Sequence, residues 1–351
     1  MSKDENSSLS RISKVLIEDM FQVSEGETVG ITVDDGSRMD IVHALFHKIK
    51  DCGGLPLILH LPVARGDSEA GMPDWPAAPL TAALCVVDVW IEMNSVVLLY
   101  SRIWEKAMAD NKKLRYLVLG HSTSKSIERI LTGFDIKNLG RLLNGVMEMA
   151  ARTKTVRITS ANGTDVSYLT DSSHALDIDD GDYSKPIFGT APGYVNIVPK
   201  VGSMNGRIIF DELQNTDIYE KGETLAFVMK DGKIDKVEGG IEADKFKKYL
   251  SSFDDPNMYK ISHHMIGLNP KVRTLLGEIV EDERIWGGTD FGFGHTSPID
   301  MPPLGQPAKS HFDGIIAATT IYFDGVKITD NGEVCHPSFI PFANALLGQV
   351  V

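Results

Sequence analysis

Cysteine is almost missing from this chain: Cys52, Cys85 and Cys335 are the three it has, far apart and in no C-x-x-C spacing. An odd, scattered set of thiols excludes a disulfide framework and suits reduced cysteines, so a cytoplasmic location is expected. Long apolar runs are missing too. No stretch approaches the roughly 20 apolar residues of a membrane helix, and the opening "MSKDENSSLSRISKVLIEDMF" has no apolar h-region, so neither membrane nor export is expected. Positive charge is in deficit, with 35 Lys and Arg against 48 Asp and Glu and a net charge of -13. Nucleic acid is therefore not an expected partner, because tracking phosphates needs a clustered basic surface. There is no internal repeat, no low-complexity segment, no G-x-S-x-G elbow and no phosphate-binding G-x-x-x-x-G-K-S/T loop. The run "GGTDFGFG" lacks the spacing and βα context of a dinucleotide site, and backbone packing is the expected role of its glycines.

What is present is enough for two cores. A chain of 351 residues that is 42% hydrophobic suggests two domains rather than one. In residues 1–150, strand-like and helix-like patterns alternate. "ETVGITVD" reads as a strand, "GSRMDIVHALFHKIK" as an amphipathic helix capped near Asp35 or Ser37, and "LPLILHL" as the next strand. "ALCVVDVWIEM" reads as a buried strand, "SRIWEKAMADNKK" as a helix, "LRYLVLG" as a strand and "NLGRLLNGVMEMAAR" as a helix closing this half. "PVARGDSEAGMPDWPAAP" reads as a surface loop. The expected first domain is an α/β layer with an open, mainly parallel sheet and flanking helices. From residue 151 to 351 the pattern is α+β. "TVRITSANGTDVSYLTD" and "ETLAFVMKDGKIDKVEGG" each place a turn dipeptide, Asn-Gly or Asp-Gly, between alternating runs and predict antiparallel hairpins, and "EADKFKKYLSSF" predicts a helix. The second domain is expected to be rich in antiparallel strand and to hold the metal.

Ten histidines offer ligands, and most are better read as structural or solvated. His43 and His47 share a helix face, but Ala44 stands where a metalloprotease needs its glutamate. His60, His121, His174 and His336 are isolated. "SHFD" differs, because strand alternation points residues i and i+2 to one face and so presents His311 beside Asp313. A third ligand from "SHHM", His263 or His264, would complete two imidazoles and one carboxylate, the arrangement of non-heme Fe(II) oxygenases. Zinc hydrolysis is chemically open to the same ligand types. Trp286, Phe291, Phe293 and Phe312 read first as core and second as the lining of a flat pocket.

"FDDPNMYKISHHMIGLNP" together with "KSHFDGIIAATTIYFDGVKI" resembles the C-terminal domain shared by the M29-like metallo-aminopeptidases and the 2,5-dihydroxypyridine dioxygenases. The resemblance implies an N-terminal α/β domain, a C-terminal metal domain and a homo-oligomer. Its dioxygenase branch is the better match: "ISH" at Ile261 to His263, an aromatic at Tyr194 in "APGYVNIVP", and an H-x-D. The peptidase glutamates are replaced by Tyr194 and His263, and a peptidase histidine by Asp290.

Carried over, the resemblance implies Fe(II) held by His263, His311 and Asp313, and extradiol-type opening of a hydroxylated aromatic or N-heteroaromatic ring by O2. The alternative is a Zn, Mn or Co aminopeptidase or amide hydrolase with Asp290 and Glu283 as substitute ligands. Two histidines of the dioxygenase pattern are replaced here by Tyr100 and Gly189. Proton transfer is worth roughly 10²–10⁴-fold, so the vacancy needs filling, and Tyr100, His264, Asp290 and His295 are the candidates. Glu283 is expected to orient a ligand or pair with Arg284.

Overall fold

The computed structural model describes residues 3–120 and 122–348, with side chains from residue 7 onward; His121 lies outside the described residues. The chain divides into two compact units, residues 1–133 with 181–192, and residues 134–180 with 193–351. Among the described residues no helix is long and apolar enough to cross a membrane.

The first unit is built on a five-stranded sheet, every pairing parallel, in the order Leu55–His60, Thr28–Val33, Val89–Glu92, Arg115–Val118, Ile187–Gly189. Val29, Ile31 and Val33 are fully buried, as a central parallel strand covered on both faces requires. The helix after the first strand spans Met39–Asp51 and buries Ile41, Val42, Leu45 and Ile49 at helical spacing. The expected side-chain cap is not there. Arg38 is the N-cap residue, and Ser37 Oγ is engaged with Asp34 instead. The expected strand "ALCVVDVWIEM" is a strand only over Val89–Glu92, since its first residues end a helix, Ala77–Leu84, seated through Leu80 and Leu84. His43 and His47 are exposed on their helix.

The second unit differs from the expected boundary at residue 150 in two ways. The helix Ile136–Ala150 belongs to it, because Leu139, Leu142, Leu143 and Val146 are buried in its core, and residues 181–192 return to the first unit to add the edge strand. Two sheets enclose that core. One has eight strands, including both predicted hairpins, Thr155–Thr159 with Asp165–Leu169 and Leu225–Lys230 with Lys233–Gly239. In the second hairpin Asp231 and Gly232 both have positive φ (49° and 73°), the requirement of a two-residue type I′ turn. The other has six strands, in the order Glu212–Leu213, Gln306–Ile316, Thr289–Thr296, Ile261–Gly267, Tyr194–Ile197, Leu176–Asp179. Phe227 of the first sheet meets Phe293 and Phe312 of the second at 5.2 and 6.4 Å between ring centroids. Each such ring contributes about 1.5–3 kcal/mol by burial, which fixes which face of the six-stranded sheet points inward. Phe291, Phe293, Phe312 and Trp286 are core residues, the first of the two readings the sequence allowed.

Candidate metal centre

Alternation does the rest. With Phe291, Phe293 and Phe312 turned inward, Asp290, Gly292, His311 and Asp313 are turned to the other face of the sheet. His263 pairs with Gly292, and Gly292 with Asp313, so one row across three strands carries an imidazole, a gap and a carboxylate. The ring of His263 leans over that gap. Its Nε2 lies 3.5 Å from Asp313 Oδ1, and His311 Nε2 lies 3.0 Å from the same oxygen. The two imidazole centroids are 5.2 Å apart. The ligand atoms of His263, His311 and Asp313 all fall within 4.8 Å of one another, the geometry of a group able to hold one ion.

Tautomers sharpen the picture. The His311 Nδ1–H donates to the carbonyl of His295 at 2.8 Å, which leaves a lone pair on Nε2 in the neutral ring. That lone pair faces the Asp313 oxygen, so two acceptors meet and need a proton or a cation between them. His263 Nε2 is placed similarly, 3.0 Å from Asp290 Oδ2. Burial opposes the charged form of both rings, yet Asp290 and Asp313 hold the His263 pKa well above its ordinary value, and Asp313 raises that of His311. Burial also opposes the Asp313 carboxylate, but His311 and His263 overcome it and push that pKa down. Burial, then the Asp313 charge, pushes Asp290 up to about 6. Burial pushes Glu283 up to about 8, against the neighbouring Arg284, whose Nη1 donates to Glu283 Oε2 at 2.9 Å. The pairing of Glu283 with Arg284 is one of the two roles expected for it.

The remaining sequence candidates separate. His264 is not at this face. It is fully buried on the opposite side of its strand, accepts from Tyr168 Oη at 2.7 Å and stacks on Phe291, and burial lowers its pKa to about 3. Adjacent residues of a strand point oppositely, so only His263 joins His311 and Asp313. His295 is half-buried, and its carbonyl also accepts from Ser262 Oγ at 3.1 Å. Tyr100 lies in the first unit, with φ of 63° and edge contacts to Trp104 and Phe188. Gly292 and Gly294 do serve backbone packing, since a Cβ at 292 would sit 2.4 Å from His263 Cε1 and one at 294 would sit 2.4 Å from the Ser310 carbonyl.

Two further residues on this face escaped the sequence reading. Asp177 pairs with Asn196, Asn196 with Met265 and Met265 with Asp290, one row beyond His263. Asn196 Nδ2 donates to Asp177 Oδ1 at 2.9 Å, and burial raises the Asp177 pKa to about 6. Their signal was the period of two in "YVNI", which shows which residues share a face but not which face is the open one.

Known proteins with this geometry are few. The solved structure of 2,5-dihydroxypyridine dioxygenase from Pseudomonas putida superposes with a TM-score of 0.81 over 95% of this chain and 99% of that one, at 18% identity. Wild-type AmpT from Thermus thermophilus superposes at 0.66 over 94% of this chain and 100% of its own, at 12% identity. Both are likenesses of fold. In sequence, the chain is 24% identical over 123 residues to a 2,5-dihydroxypyridine 5,6-dioxygenase of Pseudomonas putida, a stretch covering 33% of this chain and 34% of that relative. The sequence model of one family, described as NicX, 2,5-dihydroxypyridine 5,6-dioxygenase, matches residues 14–336, nearly the whole chain, which therefore belongs to that family.

Proposed function

We propose that this protein is a ring-cleaving dioxygenase that uses one Fe(II) ion, held by His263, His311 and Asp313, to open a hydroxylated aromatic or N-heteroaromatic ring with O2. The observation that carries the reading is the group itself: two imidazoles and one carboxylate on one sheet face, their ligand atoms within 4.8 Å. Two neutral nitrogens and one carboxylate suit iron(II) with positions left open, and family membership supports the same chemistry. Iron, when bound, would supply O2 activation and an anchor for a ring oxygen.

The protein's own part is to set donors in place. The His295 carbonyl fixes the His311 tautomer, and Asp313 faces both imidazoles, so that the ion replaces the protons these rings otherwise take up. His264 is withdrawn from the proton-transfer candidates, since Tyr168 occupies its Nδ1 and the core surrounds it. Tyr100 and His295 keep that role in this reading. The three free thiols fit a reducing cytoplasm, and a homo-oligomer is part of the proposal.

The test is anaerobic purification with metal analysis of the wild type and of His311→Ala, followed by O2 uptake on a panel of hydroxypyridines and catechols. One iron per chain, lost in the variant, with O2 consumed on at least one ring, is the expected result. Two zinc or manganese ions per chain and no O2 uptake would overturn the reading.

A further inference from the structure

Asp290 has an unfinished set of partners. Its side chain is fully buried, its Oδ1 has no hydrogen-bond partner, and its Oδ2 is held only by the His263 Nε2–H at 3.0 Å. That same nitrogen faces Asp313 and is the one His263 offers to an ion. When Nε2 gives its lone pair to a metal it can no longer donate, and Asp290 loses the one donor it has. A buried carboxylate left with no partner costs several kcal/mol, so Asp290 must gain a cation or a proton at that moment.

From this we infer that Asp290 is a fourth protein ligand, which makes the centre two histidines and two carboxylates. The inference rests on the metal-site reading above and extends it. Distance favours the cation over the proton. Two donor atoms about 2.1 Å from a common ion and at right angles to each other are about 3.0 Å apart. Asp290 Oδ2 and His263 Nε2 are 3.0 Å apart, as are His311 Nε2 and Asp313 Oδ1. Asp290 thus stands to His263 as Asp313 stands to His311. Gly292, between Asp290 and the partner of Asp313 in the next row, lets the His263 ring lie where both carboxylates reach it.

Charge and site counting follow. Two carboxylates neutralise a divalent ion, where a single one leaves it positive. Six-coordination then leaves two positions rather than three. A ring anchored through one oxygen fits beside O2, whereas a ring chelating through two oxygens requires Asp290 to withdraw. The substrate class this favours is a ring whose hydroxyl groups are not adjacent.

Manganese(II) tests the ligand without turnover. Apoprotein of the wild type, Asp290→Asn, Asp290→Ala and His311→Ala is titrated with Mn(II), and affinity is read together with the water-proton relaxation of the bound ion. A fourth ligand predicts at least tenfold weaker binding in both Asp290 variants. It also predicts relaxivity about 1.5-fold higher in Asp290→Ala, as bound waters rise from two to three. The isosteric asparagine keeps the volume of the side chain, so its affinity stands even where alanine disturbs folding. Equal or tighter binding in both Asp290 variants with unchanged relaxivity, while His311→Ala loses the ion, sinks this inference and leaves the triad intact. No binding in the wild type sinks both.

Discussion

At position 292 a single hydrogen atom decides where an imidazole goes. A Cβ built there meets His263 Cε1, Nε2 and Nδ1 at 2.4, 2.5 and 2.8 Å, so Gly292→Ala forces the ring off the site while leaving the strand its inward-facing Phe291 and Phe293. The backbone of Gly292 carries no positive φ, so the effect is contact rather than strain. The expected outcome is at least a tenfold loss of divalent-ion affinity with unchanged circular dichroism, read by calorimetric titration. Unchanged affinity would mean that the ring has another way to reach the ion. This is also the scale at which the sequence was most informative and then stopped. His311 and Asp313 could be paired because i and i+2 share a face whatever the fold. The choice between His263 and His264 could not be made, because it depends on which face Phe227 and Tyr168 of the other sheet cover, and those residues are distant in the chain.

Elements carry a second kind of strain. The two-residue strand Glu212–Leu213 and the short helix Ile279–Asp282 bring two carboxyl groups into contact: Glu212 Oε2 and Asp282 Oδ1 are buried with no donor between them. Asp282 Oδ2 is already taken by the backbone N–H groups of Leu276 and Glu278. Burial and the Asp282 charge push Glu212 up to about 9, so the folded protein keeps a proton there that the unfolded chain releases near its ordinary value of 4.5. The native state binds more protons across that window, so this pair makes stability fall as pH rises from about 4.5 to 9. Glu212→Gln supplies a permanent donor. It should flatten that part of the pH dependence and raise stability at pH 8.5 by about 1–3 kcal/mol, measured by urea unfolding of both proteins at pH 5, 7 and 8.5. A variant no more stable than the wild type at pH 8.5 would show that the pair is not proton-starved. Elements themselves were legible where local chemistry decides them, as in the Asn-Gly and Asp-Gly hairpins. "ALCVVDVWIEM" was not, because a continuous apolar run has no period, and the end of the helix Ala77–Leu84 is set by how Leu80 and Leu84 seat in the core.

For the whole molecule, the division into units was legible in kind but not in its bounds. Grammar changes near residue 150, yet the helix Ile136–Ala150 goes with the unit whose core takes its apolar face, and Ile187–Gly189 pairs with Arg115–Leu117 some seventy residues earlier. Neither fact is local, so no window of sequence contains it. The same division gives the protein a measurable signature. The candidate ligands all belong to the second unit, and the unfolded chain cannot present them together, so an ion that binds them stabilises the native state by mass action. At a free ion concentration a hundred times the dissociation constant the gain is about 2.7 kcal/mol. For a body of about two hundred residues this raises the melting temperature by roughly 5–10 °C. Hydrogen exchange with and without Mn(II) should locate the gain. Added protection is expected in the strands Ile261–Gly267, Thr289–Thr296 and Gln306–Ile316, which carry the donors, while the central strand Thr28–Val33 of the first unit exchanges as before. Removing the ion with a chelator should reverse both effects, and His311→Ala should show neither. A metal-dependent rise in melting temperature that survives in His311→Ala, or protection that appears equally in Thr28–Val33, would place the ion somewhere other than on this face of the six-stranded sheet.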